Sequence, residues 1–159
     1  MKKLSGSFRN TQWDPVLLIF QILAMQTSGY FSLGLIMALM EGLAGSNHTL
    51  DHIFQYHEIH VADFGGKLVI SAFVLNALCC AGLLWLVVKR TKLCLDFSCT
   101  WFFIHLIICW YYNSGFPWNF SWWLLHAVCV ALMCITGEFL CLRTELNDIP
   151  LGLSAKADL

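Results

Sequence analysis

Four long apolar runs, each bounded by polar or turn-forming residues, set the organisation of this chain: residues 16–40, 67–88, 93–112 and 120–142. A helix needs about 20 apolar residues to cross the hydrocarbon core of a bilayer, and each run supplies them. The first has a clear start. Asp14 can cap a helix, and Pro15 in the first turn gives up no needed hydrogen bond. Asp96 interrupts the beginning of the third run, and residues 113–119, with Gly115 and Pro117, read as a short turn. Residues 41–66 form the one sizeable polar connection.

The basic residues orient these runs. Eight of the nine fall in segments that would share one side of a membrane: Lys2, Lys3 and Arg9, then Lys89, Arg90 and Lys92, then Arg143 and Lys156. Basic flanks resist translocation. The pattern predicts an all-α membrane protein, a four-transmembrane-helix bundle with N- and C-termini cytosolic. One domain, residues 1–159, then contains a lumenal loop 41–66 and a cytosolic tail 143–159. Trp110, Tyr111 and Tyr112 would face Trp118, Trp122 and Trp123 across the short turn as a lumenal aromatic belt.

Composition agrees with this reading. Charged residues make up 12% of the chain and hydrophobic residues 58%, against about 25% charged in a soluble domain. A net charge of −1 offers no basic stripe for nucleic acid. The first run is too long for the apolar core of a cleaved signal peptide and reads as an uncleaved signal-anchor. Small residues four apart (Gly34, Ala38 and Gly42; Ala77 and Ala81; Ala127 and Ala131) predict close helix approaches.

The candidate chemistry is sparse. Eight cysteines contain no Cys-x-x-Cys pair, so they read as small apolar packing residues, and no cofactor or metal site is expected. Cys94 and Cys141, near the predicted cytosolic face, are palmitoylation candidates. The 41–66 loop holds His48, His52, His57 and His60 with Asp51, Glu58 and Asp63. Such a cluster can bind metal or titrate near neutral pH, but without fixed ligand spacing it reads as a solvated loop. Asn47, in Asn47-His48-Thr49, is a candidate N-glycosylation site.

Polar residues within the runs carry more weight, because they are costly in lipid. Asp96 and Glu138 lie near the cytosolic ends of their helices. They read either as an ion-pair network with Arg90, Lys92 and Arg143, or as the rim of a cleft for a partner. Ser32, Asn76, His105 and His126 lie about 9–12 Å from the lumenal ends of the four runs, at 1.5 Å per residue. Every span thus contributes one member to an intramembrane polar layer. It reads as interhelical hydrogen bonding or as a proton or ion path.

With the spans laid out, the chain resembles the Sys family of Golgi integral membrane proteins over residues 8–151. The resemblance rests on Trp13-Asp14-Pro15, Met25-Gln26-Thr27, Leu75-Asn76-Ala77-Leu78, Cys94-Leu95-Asp96-Phe97, Trp122-Trp123-Leu124, Gly137-Glu138 and Arg143-Thr144-Glu145-Leu146, in that order and spacing. It fades in the 41–66 loop, so the histidines there lie outside the pattern. The resemblance implies a multi-pass receptor of the trans-Golgi network that holds a cytosolic, N-terminally acetylated, Arf-related small GTPase and supports endosome-to-Golgi traffic. On the predicted cytosolic face, Trp13, Asp14, Lys92, Asp96, Glu138, Arg143 and Glu145 are the candidate partner-binding residues.

Two other classes stand beside that reading. A small transporter or channel subunit would use the Asn76/His105/His126 layer, although no inverted repeat relates the two halves. A membrane enzyme would need clustered histidines or paired cysteines on one face, which the sequence does not offer. The oligomeric state is not legible.

Overall fold

A computed structural model describes residues 14–45, 51–55 and 64–147. The described residues form four long helices and one short one, with no strand: α1 (Pro15–Ala44), α2 (Asp51–Phe54), α3 (Phe64–Val87), α4 (Cys94–Asn113) and α5 (Phe120–Asn147). A 3₁₀ turn, Thr91–Leu93, leads directly into α4. The helix α1 begins as its sequence dictates. The Asp14 carboxylate accepts from the backbone N–H groups of Val16 and Leu17 at 3.1 and 3.3 Å, and Pro15 occupies the first turn. It ends at Gly45, whose φ of 67° is a left-handed cap that glycine adopts without strain.

All four long helices are long and apolar enough to span a membrane. Their outward faces are apolar too. Phe31, Leu35, Leu39 and Leu43 on α1, and Ile135, Phe139, Leu142 and Leu146 on α5, are exposed. Helices apolar on all faces are stable only inside a large core or in lipid, and a chain this short has no such core. A lipid bilayer is therefore the medium that covers these surfaces.

The helices pack in the order α1–α3–α5–α4. The α1–α3 and α3–α5 seams are extensive, while α4 touches α5 and α1 more sparsely. Two apolar clusters are stacked along the bundle axis. One is built around Leu33, Val69, Phe73, Trp122 and Leu125, the other around Met25, Leu84, Phe97, Trp101 and Met133. Contacts fix which helix ends lie together. Gln21 Nε2 donates to the Val87 carbonyl at 3.0 Å, and Trp85 Nε1 donates to Thr144 Oγ1 at 2.6 Å. The start of α1 and the end of α5 thus lie beside the α3–α4 turn, at what is here termed the terminal end. At the opposite end Asn113 Nδ2 donates to the Phe54 carbonyl at 2.8 Å, which docks α2 on α4.

Several expectations need correction. The helix α1 runs past residue 40 to Ala44, which brings Glu41 into its last turn as a buried residue. The helix α5 continues past residue 142 to Asn147. The small residues of α1 are not its contact face: a Cβ at Gly34 or Gly42 would meet nothing within 4 Å. Ala38, Ala127 and Ala131 are exposed, whereas Ala77 and Ala81 are buried in the bundle. The close approaches fall at other glycines. A Cβ on Gly29 would lie 2.6 Å from Trp101 Nε1, and one on Gly137 would lie 2.9 Å from Leu84 Cδ1. Trp122 is no interfacial anchor either. It is 1% exposed, because its register turns it inward, while Trp110 and Trp118 face out.

Candidate functional site

The intramembrane polar residues converge. Ser32 on α1 donates a hydrogen bond to Asn76 Oδ1 on α3. His105 on α4 and His126 on α5 lie ring over ring, and both are fully buried. Each histidine also stacks on a tryptophan one helical turn before it. Trp101 and His105 have centroids 5.5 Å apart and planes at 12°, and Trp122 and His126 are 4.2 Å apart at 29°. The result is a continuous stack of four rings, Trp101–His105–His126–Trp122, across two helices.

The polar atoms of this stack are met unevenly. Tyr30 on α1 places its hydroxyl 3.0 Å from His105 Nδ1, and Cys109 Sγ lies 3.4 Å from His105 Nε2. His126 Nδ1 lies 2.9 Å from the Trp122 carbonyl oxygen. A carbonyl only accepts, so Nδ1 carries the hydrogen and, in the neutral ring, Nε2 presents a lone pair. Residues of all four long helices therefore meet within one layer. This arrangement bonds helices together and closes the bundle axis with packed rings.

Tyr30, Trp101 and Cys109 were not singled out from the sequence, and Trp122 was read there only as a belt residue. One signal for two of them was present. The spacing Trp-x-x-x-His occurs twice, at Trp101/His105 and Trp122/His126, and residues four apart share a helix face. Tyr30 carries no comparable signal, because its partner lies on a distant helix.

The terminal end gathers most of the other candidates. Asp14, Lys92, Asp96, Arg143 and Glu145 are exposed, and Glu138 is half-buried. Glu145 is the organising residue. Its carboxylate accepts from the Thr91 backbone N–H at 3.2 Å and from the Thr91 hydroxyl at 2.8 Å, tying the α3–α4 turn to the end of α5. The expected ion-pair network does not form: no ion pair joins Asp96 or Glu138 to Arg90, Lys92 or Arg143. Glu138 instead accepts from Cys134 Sγ at 3.4 Å. Cys94 and Cys141 are fully buried, their sulfurs 3.7 Å apart between α4 and α5, which removes them from the surface that palmitoylation needs.

Trp13, Asn47, His48, His57 and His60 lie outside the described residues. Among the described residues no cluster of His, Cys, Asp and Glu has the geometry to hold a metal ion.

The bundle, its lipid-facing surfaces and its buried polar layer define a polytopic helical membrane protein. Residues 8–151 match the family model SYS1, described as "Integral membrane protein S linking to the trans Golgi network". The chain is 46% identical over 146 residues to "Protein SYS1 homolog" of Nematostella vectensis, covering 92% of both proteins. It is 40% identical over 144 residues to "Protein SYS1 homolog" of Dictyostelium discoideum, covering 91% of this chain and 62% of that longer one. It is 26% identical over 147 residues to "Protein SYS1" of Saccharomyces cerevisiae, covering 92% of this chain and 72% of the yeast protein. No solved structure matches it. The chain belongs to the SYS1 family and is an integral membrane protein of the trans-Golgi network.

Proposed function

We propose that this protein is a trans-Golgi receptor that recruits a cytosolic, N-terminally acetylated, Arf-related small GTPase, and that it thereby supports endosome-to-Golgi traffic. Family membership supports the reading, and the character of the terminal end carries it. With both chain termini cytosolic, the exposed Lys89, Arg90, Lys92 and Arg143, near the Glu145–Thr91 clamp, are the cationic members of the contact. Among the described residues none of these four cations is engaged in an ion pair. An exposed charged rim favours encounter with a charged partner surface and steers it. Asp96 and Glu138 flank that rim and are the acidic members of the proposed contact.

The transport reading has weaker support. The ring stack packs between α4 and α5, and the enclosed cavity beside it has a volume of about 10 Å³, room for a single water. Reversing charge at Arg143 and Glu138 tests the receptor reading. The expected outcome is release of the GTPase to the cytosol while the variant itself stays at the Golgi. Continued GTPase recruitment would count against this face.

A further inference from the structure

Among the described residues three buried side-chain atoms have no hydrogen-bond partner: Gln26 Oε1 on α1, and Trp101 Nε1 and His126 Nε2 in the ring stack. Trp101 is 6% exposed and His126 1%. Both residues line one cavity, together with Asn76, Phe73, Cys80 and Met133. The cavity lies where the two apolar clusters meet, since Phe73 belongs to one and Cys80, Trp101 and Met133 to the other. Its volume, about 10 Å³, is at the threshold for one water and too small for a file of them.

The two atoms are complementary. An indole N–H can only donate. His126 Nε2 is an acceptor, because Nδ1 donates to the Trp122 carbonyl. No direct bond joins them, and at this depth in a bilayer no bulk solvent is available to satisfy a polar group. We infer that this cavity is a binding site for one ordered water molecule, which accepts from Trp101 Nε1 and donates to His126 Nε2. Asn76 also lines the cavity, and its Oδ1 is the acceptor this inference assigns to the second hydrogen. The water then links α4 to α5 beside the amide of α3. It continues the polar layer that the Ser32–Asn76 and Tyr30–His105 bonds begin. Three polar groups around a small cavity match what a buried water requires.

The full-length protein in proteoliposomes, with ¹⁵N-labelled tryptophan and histidine, allows a direct test by solid-state NMR with polarisation transfer from water. The Trp101 indole signal is assigned by its loss in Trp101→Phe. Transfer to it is expected to be comparable with transfer to the exposed Trp118. It should vanish in Ala77→Val, because Ala77 also lines the cavity and the added methyl groups would occupy it. Absence of transfer to Trp101 in the unaltered protein would overturn the inference. So would transfer persisting in a folded Ala77→Val variant, or a scalar coupling between Trp101 Nε1 and His126 Nε2 that reports a direct N–H···N bond. If Ala77→Val does not fold, the measurement on the unaltered protein decides alone.

Discussion

His105 and His126 come from different helices, yet their rings lie 5.0 Å apart with planes 22° from parallel. Helices in lipid gain nothing from excluding apolar surface from water, so packing and interhelical hydrogen bonds hold them together. The histidine pair supplies both, between the two helices whose seam is otherwise sparse. His126→Leu removes the stacking on Trp122 and His105 together with a bond to backbone. It should destabilise the bundle by about 1–2 kcal/mol, in line with aromatic pairs, while targeting to the Golgi is retained. Thermal unfolding in detergent checks the first part and imaging the second. Lost function at unchanged stability would give the layer an active role.

His105→Phe isolates a different contribution. The ring stack survives, but the Tyr30 hydroxyl loses its partner at 3.0 Å. Interhelical hydrogen bonds in membranes are worth about 0.6 kcal/mol on average and up to about 1.7. The double variant Tyr30→Phe/His105→Phe should therefore cost little more than either single change, as a double-mutant cycle in unfolding free energy would reveal.

Gly29→Ala and Gly34→Ala should differ sharply, although both add one methyl group to α1. The first places a Cβ 2.6 Å from Trp101 Nε1, and the second meets open space. Overpacking of this kind costs about 1–3 kcal/mol. Gly34→Ala should be neutral or slightly stabilising. Parallel unfolding curves of the two variants make the comparison.

Glu145→Ala should free the α3–α4 turn. The Thr91 amide donates to this carboxylate, so its hydrogen exchange should accelerate while the bundle core is unchanged. The contact is exposed, and the global cost should be below about 1 kcal/mol. Exchange at Thr91 with unaltered rates in the variant would mean the clamp does not hold the turn in the bilayer.

Cys94 and Cys141 should resist thiol-reactive reagents in intact membranes and react once the protein is denatured, since both sulfurs are buried against each other. Mass-spectrometric mapping of alkylated cysteines before and after denaturation makes the comparison. Labelling of Cys94 in intact membranes as fast as in the denatured protein would show that the α4–α5 seam opens.

Much of the architecture was legible because the membrane makes it so. A run such as residues 67–88 needs only length and hydropathy to be read as a span, and Asp14-Pro15 announces the start of α1 through its own short-range chemistry. Rotation about the helix axis was not legible. Gly34, Ala38 and Gly42 have the spacing of a contact face and point outward, while Gly29 makes the contact because a tryptophan from α4 happens to reach it. Apolar residues on every side leave no polar stripe to mark which face turns inward. Trp122 illustrates the same loss: by position it reads as an interfacial anchor, by register it is core. The polar layer was visible as depth, since counting residues places Ser32, Asn76, His105 and His126 at one level. Their pairing depends on helix order, which no local pattern encodes. The ion pairs expected of Asp96 and Glu138 fail for a related reason: exposed side chains gain little from pairing, and Glu138 accepts from Cys134 instead.

The helices differ in length. At 1.5 Å per residue, α1 and α5 reach about 45 and 42 Å, but α4 only about 30 Å, near the thickness of a typical hydrocarbon core. A thin leaflet pair would oblige the longer rods to lean while the short one stays upright. The shear from that mismatch falls on the α4 contacts, the sparsest in the bundle, so lipid thickness bears mechanically on the same seam that the stacked imidazoles hold shut.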